Sequence, residues 1–288
     1  MRVNIRRQPV LVFILPAAIV LALFTTFPLF FSIEISLTQF DFTTMNFIGT
    51  NNYVRLFGDS LFYRSLMNTI IFTLAGVVFC FTFSLGTALL LNEKIRFRGL
   101  FRALFLLPWI VPGTVAAAIW MCLLSPSYGI FNYYLQQLGL ISSFVPWLGN
   151  TDTVLPALTL ISLWKFAPWY TIALLAGLQS IPEHLYEAAK IDGAGKIARF
   201  RYVTLPGLKT VAIIVLSLGV IWRWNHFDIV WFLTGGGPAF ASHLVVTYTY
   251  LVSFSLFEAG YGAAISVFSI ICLVAFVVVL TREIRRGL

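Results

Sequence analysis

The sequence predicts an all-α integral membrane protein with six transmembrane helices and both termini in the cytoplasm. Of its 288 residues, 59% are hydrophobic and only 10% are charged, whereas about a quarter of the residues in a soluble domain are charged. Apolar runs long enough to cross a bilayer recur along the chain, and Lys and Arg concentrate in alternate connections between them. These observations exclude a soluble domain and make the lipid bilayer the solvent for most of the chain.

Six segments have the length of about 20 apolar residues that a helix needs to cross a bilayer. Short polar or turn-rich pieces separate them. The segments lie at about 10–35, 66–91, 103–124, 155–178, 208–233 and 262–281. We interpret residues 1–288 as a single transmembrane domain, because the sequence shows no internal repeat and no second, soluble domain.

Two apolar runs need a separate interpretation. The first follows Arg2, Arg6 and Arg7, as a signal peptide would, but it exceeds the roughly 7–15 residues of a signal-peptide core and no small-residue cleavage site ends it. We therefore expect an uncleaved first span. The run 244–257 is too short to cross, and we expect an external or re-entrant helix there.

The distribution of positive charge predicts the orientation. Fifteen of the nineteen Lys and Arg residues lie in the N-terminal tail, the 92–102 loop, the 179–209 loop and the C-terminal tail. Cytoplasmic loops of membrane proteins carry such an excess. Both termini are therefore predicted to be cytoplasmic, in agreement with an even number of spans. The net charge of +8 has this explanation and does not indicate nucleic-acid binding.

The sequence offers no catalytic or metal-binding pattern. Cys80, Cys122 and Cys272 lie inside apolar runs, and the three histidines are far apart, so neither residue type has the spacing of metal ligands. The "GAGK" at 193–196 lacks the upstream glycine and the following Ser or Thr of a nucleotide-binding loop. We therefore predict a non-enzymatic chain that binds no metal and no cofactor.

Four charged residues fall within the predicted spans: Glu34, Lys165, Arg223 and Asp228. Charges inside a membrane are costly and usually face a bundle interior or a wet cavity. Glu34 and Asp228 lie near span ends, where an interfacial position is the alternative. Lys165 and Arg223 lie nearer the middle, and the alternative for them is a structural ion pair or snorkelling to the interface.

Helical spacing places other residues on the same face as each central cation, because residues three and four positions apart are neighbours on a helix. The two faces combine cations, aromatic rings and hydrogen-bonding groups, which suit a sugar, although aromatic residues also form interfacial belts. The faces comprise Ser162, Lys165, Phe166 and Trp169 on the fourth span, and Gly219, Trp222, Arg223 and His226 on the fifth.

The stretch "EAAKIDGAGKIARFRYVTLP", residues 187–206, lies in the largest predicted cytoplasmic loop. Pro182 ends the preceding helix, and Gly193 and Gly195 permit a sharp change of direction. We expect two short helices at an angle, forming a docking element of the helix-in-groove kind. A solvated connecting helix is the alternative. Pro206 marks the start of the fifth span.

This loop resembles the EAA loop of ABC importer permeases, and the resemblance extends over about the last 130 residues. The spacing from Glu187 to Gly193 and on to Leu205-Pro206 matches that loop, with Val203 where the family usually has Ile. "AGLQSIPEHLYEAAKIDGAGKIARFRYVTLPGL" looks like the carbohydrate-importer branch. "LTGGGPAFAS" and "FEAGYGAAISV" are similar to the maltose-permease-F-like subunit.

The resemblance implies a multi-pass permease subunit of the cytoplasmic (inner) membrane of a bacterium or archaeon, working by alternating access. Its implied partners are a second homologous permease, two cytoplasmic ABC ATPases that bind ATP and Mg, an extracytoplasmic solute-binding protein and a sugar. The loop 183–206, between helices 4 and 5, would hold the coupling helices. The implied coupling residues are Glu187, Ala188, Ala189, Asp192, Gly193, Ala194, Leu205 and Pro206.

The family's sugar-contacting positions, carried over by the resemblance, fall on the same two faces. Lys165 and Arg223 stand where the maltose permease has uncharged groups, which suggests an acidic cargo such as an uronate oligosaccharide or a sugar phosphate. Neutralisation by Asp228, Glu34 or a partner chain is the alternative. The rival functions are a permease for phosphate, amino acids or metal, a channel, and a membrane enzyme, for which no convergent catalytic groups are visible.

Overall fold

The computed structural model describes residues 8–93 and 96–287, with side chains for 14–93 and 96–282. Arg2, Arg6, Arg7 and Lys94 lie outside the described residues, as do the side chains of Arg285 and Arg286. Five described helices are long and apolar enough to cross a membrane: Ile14–Ser36, Ser60–Asn92, Val154–Gln179, Lys196–Thr234 and Ala259–Arg282. The prediction of a helical integral membrane chain is confirmed, while the number of crossings and their orientation stay predictions.

The chain forms two compact units. The first contains the residues up to Asp59 together with Thr249–Ile270, and the second contains Ser60–Tyr248 together with the residues from Ile271 onward.

The first unit begins with α1 (Gln8–Leu21), which continues through a π-helical turn (Ala22–Thr26) into α2 (Phe27–Ser36). Two short strands that the sequence analysis did not predict follow, β1 (Thr38–Phe40) and β2 (Met45–Phe47), and they pair antiparallel. The carboxylate of Asp41 closes their turn.

Asp41 accepts hydrogen bonds from the backbone and the hydroxyl groups of Thr43 and Thr44. These bonds hold the pKa of Asp41 well below its usual value, and the bond from the Thr43 hydroxyl has the largest effect.

Helix α3 (Asn51–Gly58) follows the hairpin and is bonded through one side chain to both the end of α2 and the first strand. The buried Asn52 donates to the carbonyl oxygens of Ser36 and Thr38 at 2.9 and 2.8 Å. This unit also contains a π-helical turn (Leu251–Ser255) and the first part of α14 (Ala259–Gly287).

The second unit contains α4, the longest described helix, which packs along much of α8, with α11 against both. Small residues allow this approach, as in other membrane helix bundles; a Cβ at Gly177 would lie 2.9 Å from a methyl group of Leu208. The helices of this unit are α4 (Ser60–Asn92), α5 (Arg98–Ile110), α6 (Gly113–Leu123), α7 (Ile130–Gln137), α8 (Val154–Gln179), α9 (Glu183–Ile191), α10 (Lys196–Arg199), α11 (Leu205–Trp224), α12 (Asp228–Thr234) and α13 (Val245–Tyr250), whose last two residues belong to the first unit.

Helices α5 and α6 occupy the region predicted as one span at 103–124, and they are bent by 94°. Val111 is extended, with φ −60° and ψ 128°, and Pro112 has no N–H to continue the helix. The bend leaves the carbonyl group of Val111 outside any helical hydrogen bond. If the pair counts as one broken span, the described chain has six.

The segment 244–257 contains α13 and the π-helical turn after it, which together make an apolar helix shorter than a span (Val245–Ser255).

Candidate functional site

Arg223 on α11 is the largest fully buried side chain of the described structure, with 1% of its surface exposed. Its Nη1 donates to the Oγ of Ser162 on α8 at 2.6 Å. The guanidinium carbon lies 5.8 Å from the ring centres of both Phe72 and Phe166, within the range of a cation–π interaction. Three helices, α4, α8 and α11, thus enclose one cation.

The charge of Arg223 is not neutralised within the described residues. Its Nε and Nη2 are buried without a hydrogen-bond partner, and neither ion pair found in the described part of the chain includes it. Burying an unpaired charge costs several kcal/mol. The guanidinium therefore has free donors in a fixed fork, an arrangement that matches the two oxygens of a carboxylate or a phosphate.

Gly76 on α4 makes room for this side chain. A Cβ at position 76 would overlap the Nη1 and Cζ atoms of Arg223. The sequence analysis missed both Gly76 and Phe72. The only signal was a glycine within the bulky run "FTLAGVVFCF".

His226 lies next to the same cluster. Its ring stacks on Phe72 with centres 6.0 Å apart and meets Phe166 edge-on at 5.2 Å. Its Nδ1 is 3.6 Å from the Oδ1 of Asp228, whereas its Nε2 is buried without a partner. Asp228 is therefore directed toward His226 rather than toward Arg223.

Lys165 has a different environment from Arg223. Its Nζ donates to the carbonyl oxygen of Val111, the group that the α5–α6 bend leaves free. The ammonium group thus stabilises the bend, and it takes no part in the hydrogen bond between Arg223 and Ser162. The two cations that the sequence singled out therefore differ: Lys165 bonds to the backbone at the bend, whereas Arg223 has no counter-charge among the described residues.

The tryptophans form a less buried rim. Trp169 and Trp222 meet edge-to-face with centres 4.6 Å apart. Trp222 and Phe166 also line an open depression of about 400 Å³ together with Trp109, Ile221 and Asn225. Of the eight predicted pathway residues, the structure brings four together in one cluster, in which only Phe166 is half-buried, and two to its rim; Lys165 lies at the bend, and Gly219 packs under the Tyr170 hydroxyl. The four in the cluster are Ser162, Phe166, Arg223 and His226.

The loop 183–206 bends at Gly193. Gly193 has φ +80°, its N–H donates to the Lys190 carbonyl at 3.1 Å, and the N–H of Ala194 donates to the Ala189 carbonyl at 2.8 Å. This pair of bonds is a Schellman motif, which requires a left-handed residue and favours glycine. The bend therefore has a defined geometry, fixed by two backbone hydrogen bonds.

Residues around the bend face outward. Glu187, Ala188 and Asp192 are exposed and Ala189 and Ala194 are half-buried. Two large apolar side chains that the sequence analysis did not select, Ile191 and Ile197, are 87% and 84% exposed. Their signal in the sequence was an isoleucine on each side of a charged, glycine-containing turn.

The base of the loop is anchored. The hydroxyl groups of Tyr186 and Thr204 lie 3.1 Å apart. The second short helix is not separate from the fifth span, because α10 continues through a π-helical turn (Phe200–Thr204) into α11. Leu205 and Pro206 form the first turn of α11, and Pro206 has no N–H to donate to the carbonyl four residues earlier.

Comparison with known proteins gives a consistent result. Residues 80–286 match the family described as binding-protein-dependent transport system inner membrane component. The chain is 39% identical over 271 residues to the trehalose/maltose transport system permease protein MalF of Thermococcus litoralis, covering 92% of this chain and 90% of that one. It is 34% identical over 255 residues to the sulfoquinovosyl glycerol transport system permease protein SmoG of Agrobacterium fabrum, covering 88% and 82%.

A bacterial ABC transporter involved in the import of the acidic polysaccharide alginate has a similar fold. Its chain superposes with a TM-score of 0.82 at 24% identity, over 98% of this chain and 96% of that chain.

Proposed function

Because the chain belongs to the inner membrane components of binding-protein-dependent transport systems, we propose that it forms half of the translocation pathway of an ATP-driven importer of sugars or oligosaccharides. The nearly full-length similarity to a trehalose/maltose permease carries this proposal. The complete importer contains a second homologous permease, two cytoplasmic ABC ATPases and an extracytoplasmic solute-binding protein. It resides in the cytoplasmic membrane of a bacterium or archaeon.

The test is reconstitution of the four-component importer in proteoliposomes. Labelled trehalose, maltose and uronate oligosaccharides are offered with the solute-binding protein, alongside phosphate, an amino acid and a divalent metal. ATP-dependent uptake of a saccharide supports the proposal. Uptake of phosphate, amino acid or metal alone supports the alternative, a non-sugar importer.

The loop 183–206 transmits the work of the ATPases to the permease in this proposal. Glu187 and Asp192 supply charged contacts, Ile191 and Ile197 supply apolar area, and Gly193 sets the angle between them. A surface with two isoleucines more than four-fifths exposed fits a partner groove better than it fits bulk water. The ATPases bind the ATP and Mg, and the permease itself is not catalytic.

Co-purification with the ATPases tests this docking surface. Gly193→Pro removes the N–H that bonds to Lys190 and cannot adopt φ +80°, and Glu187→Lys reverses an exposed charge; we expect both variants to lose the ATPases. Arg201→Gln is a matched control, since Arg201 is exposed and precedes the fifth span. Wild-type recovery of the ATPases with both loop variants would contradict the proposed docking.

The cargo in this proposal carries negative charge, and Arg223 is the residue that recognises it. The guanidinium has two donor nitrogens, Nε and Nη2, without a partner and no counter-charge in the described residues. A carboxylate or phosphate on a sugar would remove the cost of that buried charge once the pathway opens, and nearby aromatic rings would cover the sugar's C–H surfaces. Lys165 contributes less, because it already bonds to Val111.

Competing uptake of charged and neutral sugars distinguishes these roles. We expect Arg223→Gln to lower uptake of an uronate oligosaccharide by at least tenfold, and to change uptake of a neutral oligosaccharide much less. Lys165→Ala should affect both to the same extent, since it acts through the bend. If Arg223→Ala and Lys165→Ala both import the native sugar at the wild-type rate, neither residue lines the path.

A further inference from the structure

A polar cavity lies behind the loop 183–206, here called the coupling loop, at the end of the bundle away from the Arg223 cluster. Its volume is about 350 Å³, within the range of small-ligand sites. The end of α4, the end of α8 and the segment from α9 to the π-helical turn form its walls. The polar lining residues are Asn92, Glu93, Tyr186, Lys196, Arg199 and Thr204.

Two cations line this cavity, and no described residue forms an ion pair with either of them. Lys196 and Arg199 lie three positions apart on α10, so they share a face. Neither makes an ion pair with Glu93 within the described residues. The Nε of Arg199 is buried without a hydrogen-bond partner. The positive-inside rule explains why cations occur in this loop, but it does not explain why the side chain of Arg199 lines a cavity with its Nε buried.

The remaining lining groups add hydrogen-bonding capacity. The amide of Asn92 can donate, and the Tyr186 hydroxyl is held in place by Thr204 at 3.1 Å. A planar guanidinium, an ammonium and neutral donors around one cavity suit a group with several strongly accepting oxygens. The single carboxylate of Glu93 opposes that charge and lowers the affinity for an anion.

We propose that this cavity is a cytoplasmic binding site for a phosphate group, held by Lys196 and Arg199. The phosphate belongs either to a small soluble phosphate ester or to the headgroup of an anionic lipid. Occupancy would connect the end of α4 to the coupling loop through the ligand, and so restrain the loop that the ATPases engage. The binding itself does not depend on which cargo the importer carries.

Binding is measured on the assembled importer in phosphatidylcholine nanodiscs, without cargo or solute-binding protein. Glycerol 3-phosphate is the soluble probe, titrated calorimetrically, and glycerol is the uncharged control. The lipid arm uses nanodiscs containing phosphatidylglycerol, with retained lipid counted by native mass spectrometry. The variants are Arg199→Gln, Lys196→Gln, Glu93→Gln and the matched control Arg201→Gln, whose side chain does not line the cavity.

We expect saturable binding of glycerol 3-phosphate or specific retention of phosphatidylglycerol, and the arm that responds identifies the source. Arg199→Gln and Lys196→Gln should each weaken it at least tenfold, Arg201→Gln should leave it unchanged, and Glu93→Gln should strengthen it several-fold. A purely structural role for these residues does not predict the gain with Glu93→Gln.

The proposal is overturned if neither arm responds, or if Arg199→Gln and Arg201→Gln bind equally. If Arg199→Gln fails to assemble, Lys196→Gln gives the deciding comparison, because Lys196 is exposed.

Discussion

Replacing Gly76 by Ala tests the packing of the buried guanidinium directly. The added methyl group would overlap Nη1 and Cζ of Arg223, so the side chain must move away from Ser162. A hydrogen bond between helices in a membrane contributes about 1 kcal/mol, and overpacking a well-filled core costs about 1–3 kcal/mol. Together they predict a loss of about 2–4 kcal/mol in the free energy of unfolding, in which overpacking is the larger part.

Gly86→Ala is the matched control, since Gly86 lies on the same helix and a Cβ there meets nothing within 4 Å. That change should leave stability unaltered or raise it by up to about 1 kcal/mol, because alanine is the better helix former. Unfolding of the purified permease in mixed micelles, with increasing SDS, measures both variants.

Combining Gly76→Ala with Arg223→Met should restore part of the lost stability, because the flexible methionine can vacate the space. Equal unfolding free energies for Gly76→Ala and Gly86→Ala would refute the reasoning, since they would mean that the guanidinium does not occupy the space beside Gly76.

Three further outcomes follow from described contacts. Gly193→Ala forces a side chain into the left-handed region, at a cost of about 1–2 kcal/mol, and should lower uptake per ATP hydrolysed in proteoliposomes. Asn52→Ala removes the donors to two carbonyl groups and should lower the free energy of unfolding by about 1–3 kcal/mol, whereas the exposed Asn51→Ala should change it by less than about 0.5 kcal/mol. Burial lowers the pKa of His243, which lies outside the predicted spans, to about 4 in the folded chain. As pH falls, this histidine therefore takes up a proton in the unfolded chain before it does so in the folded chain. Stability should therefore decline between about pH 6.5 and pH 4, and His243→Gln should flatten that part of a melting profile.

Local sequence signals predicted the helices, and indicated a turn in the loop 183–206, because both depend on short-range properties. A run of apolar residues is sufficient to indicate a membrane helix, and the glycines at 193 and 195 indicated where the loop turns. The bend at Pro112 was also encoded locally, yet it was missed because the hydropathy of 103–124 is continuous across it. The short hairpin around Asp41 was missed because three-residue strands leave almost no periodic signal.

The candidate site was only half predictable. Facing positions on one helix follow from spacing, and spacing selected Ser162, Phe166 and Arg223, which the structure brings into contact. The contribution of Gly76 and Phe72 depends on how α4 packs against α8 and α11, which no spacing within one helix specifies. For the same reason the sequence could not show that Lys165 would bond to the Val111 carbonyl, since that acceptor exists only because the chain bends there.

The continuity of α10, the π-helical turn and α11 makes this segment a lever arm. From Lys196 to Arg223 the chain rises about 40 Å at 1.5 Å per residue. A tilt of only about 5° at the foot displaces the far end by about 3.5 Å, more than the 2.6 Å that separates Nη1 from the Ser162 oxygen. A small rotation imposed at the base is thus sufficient to part the guanidinium from its only hydrogen-bond partner in the described structure.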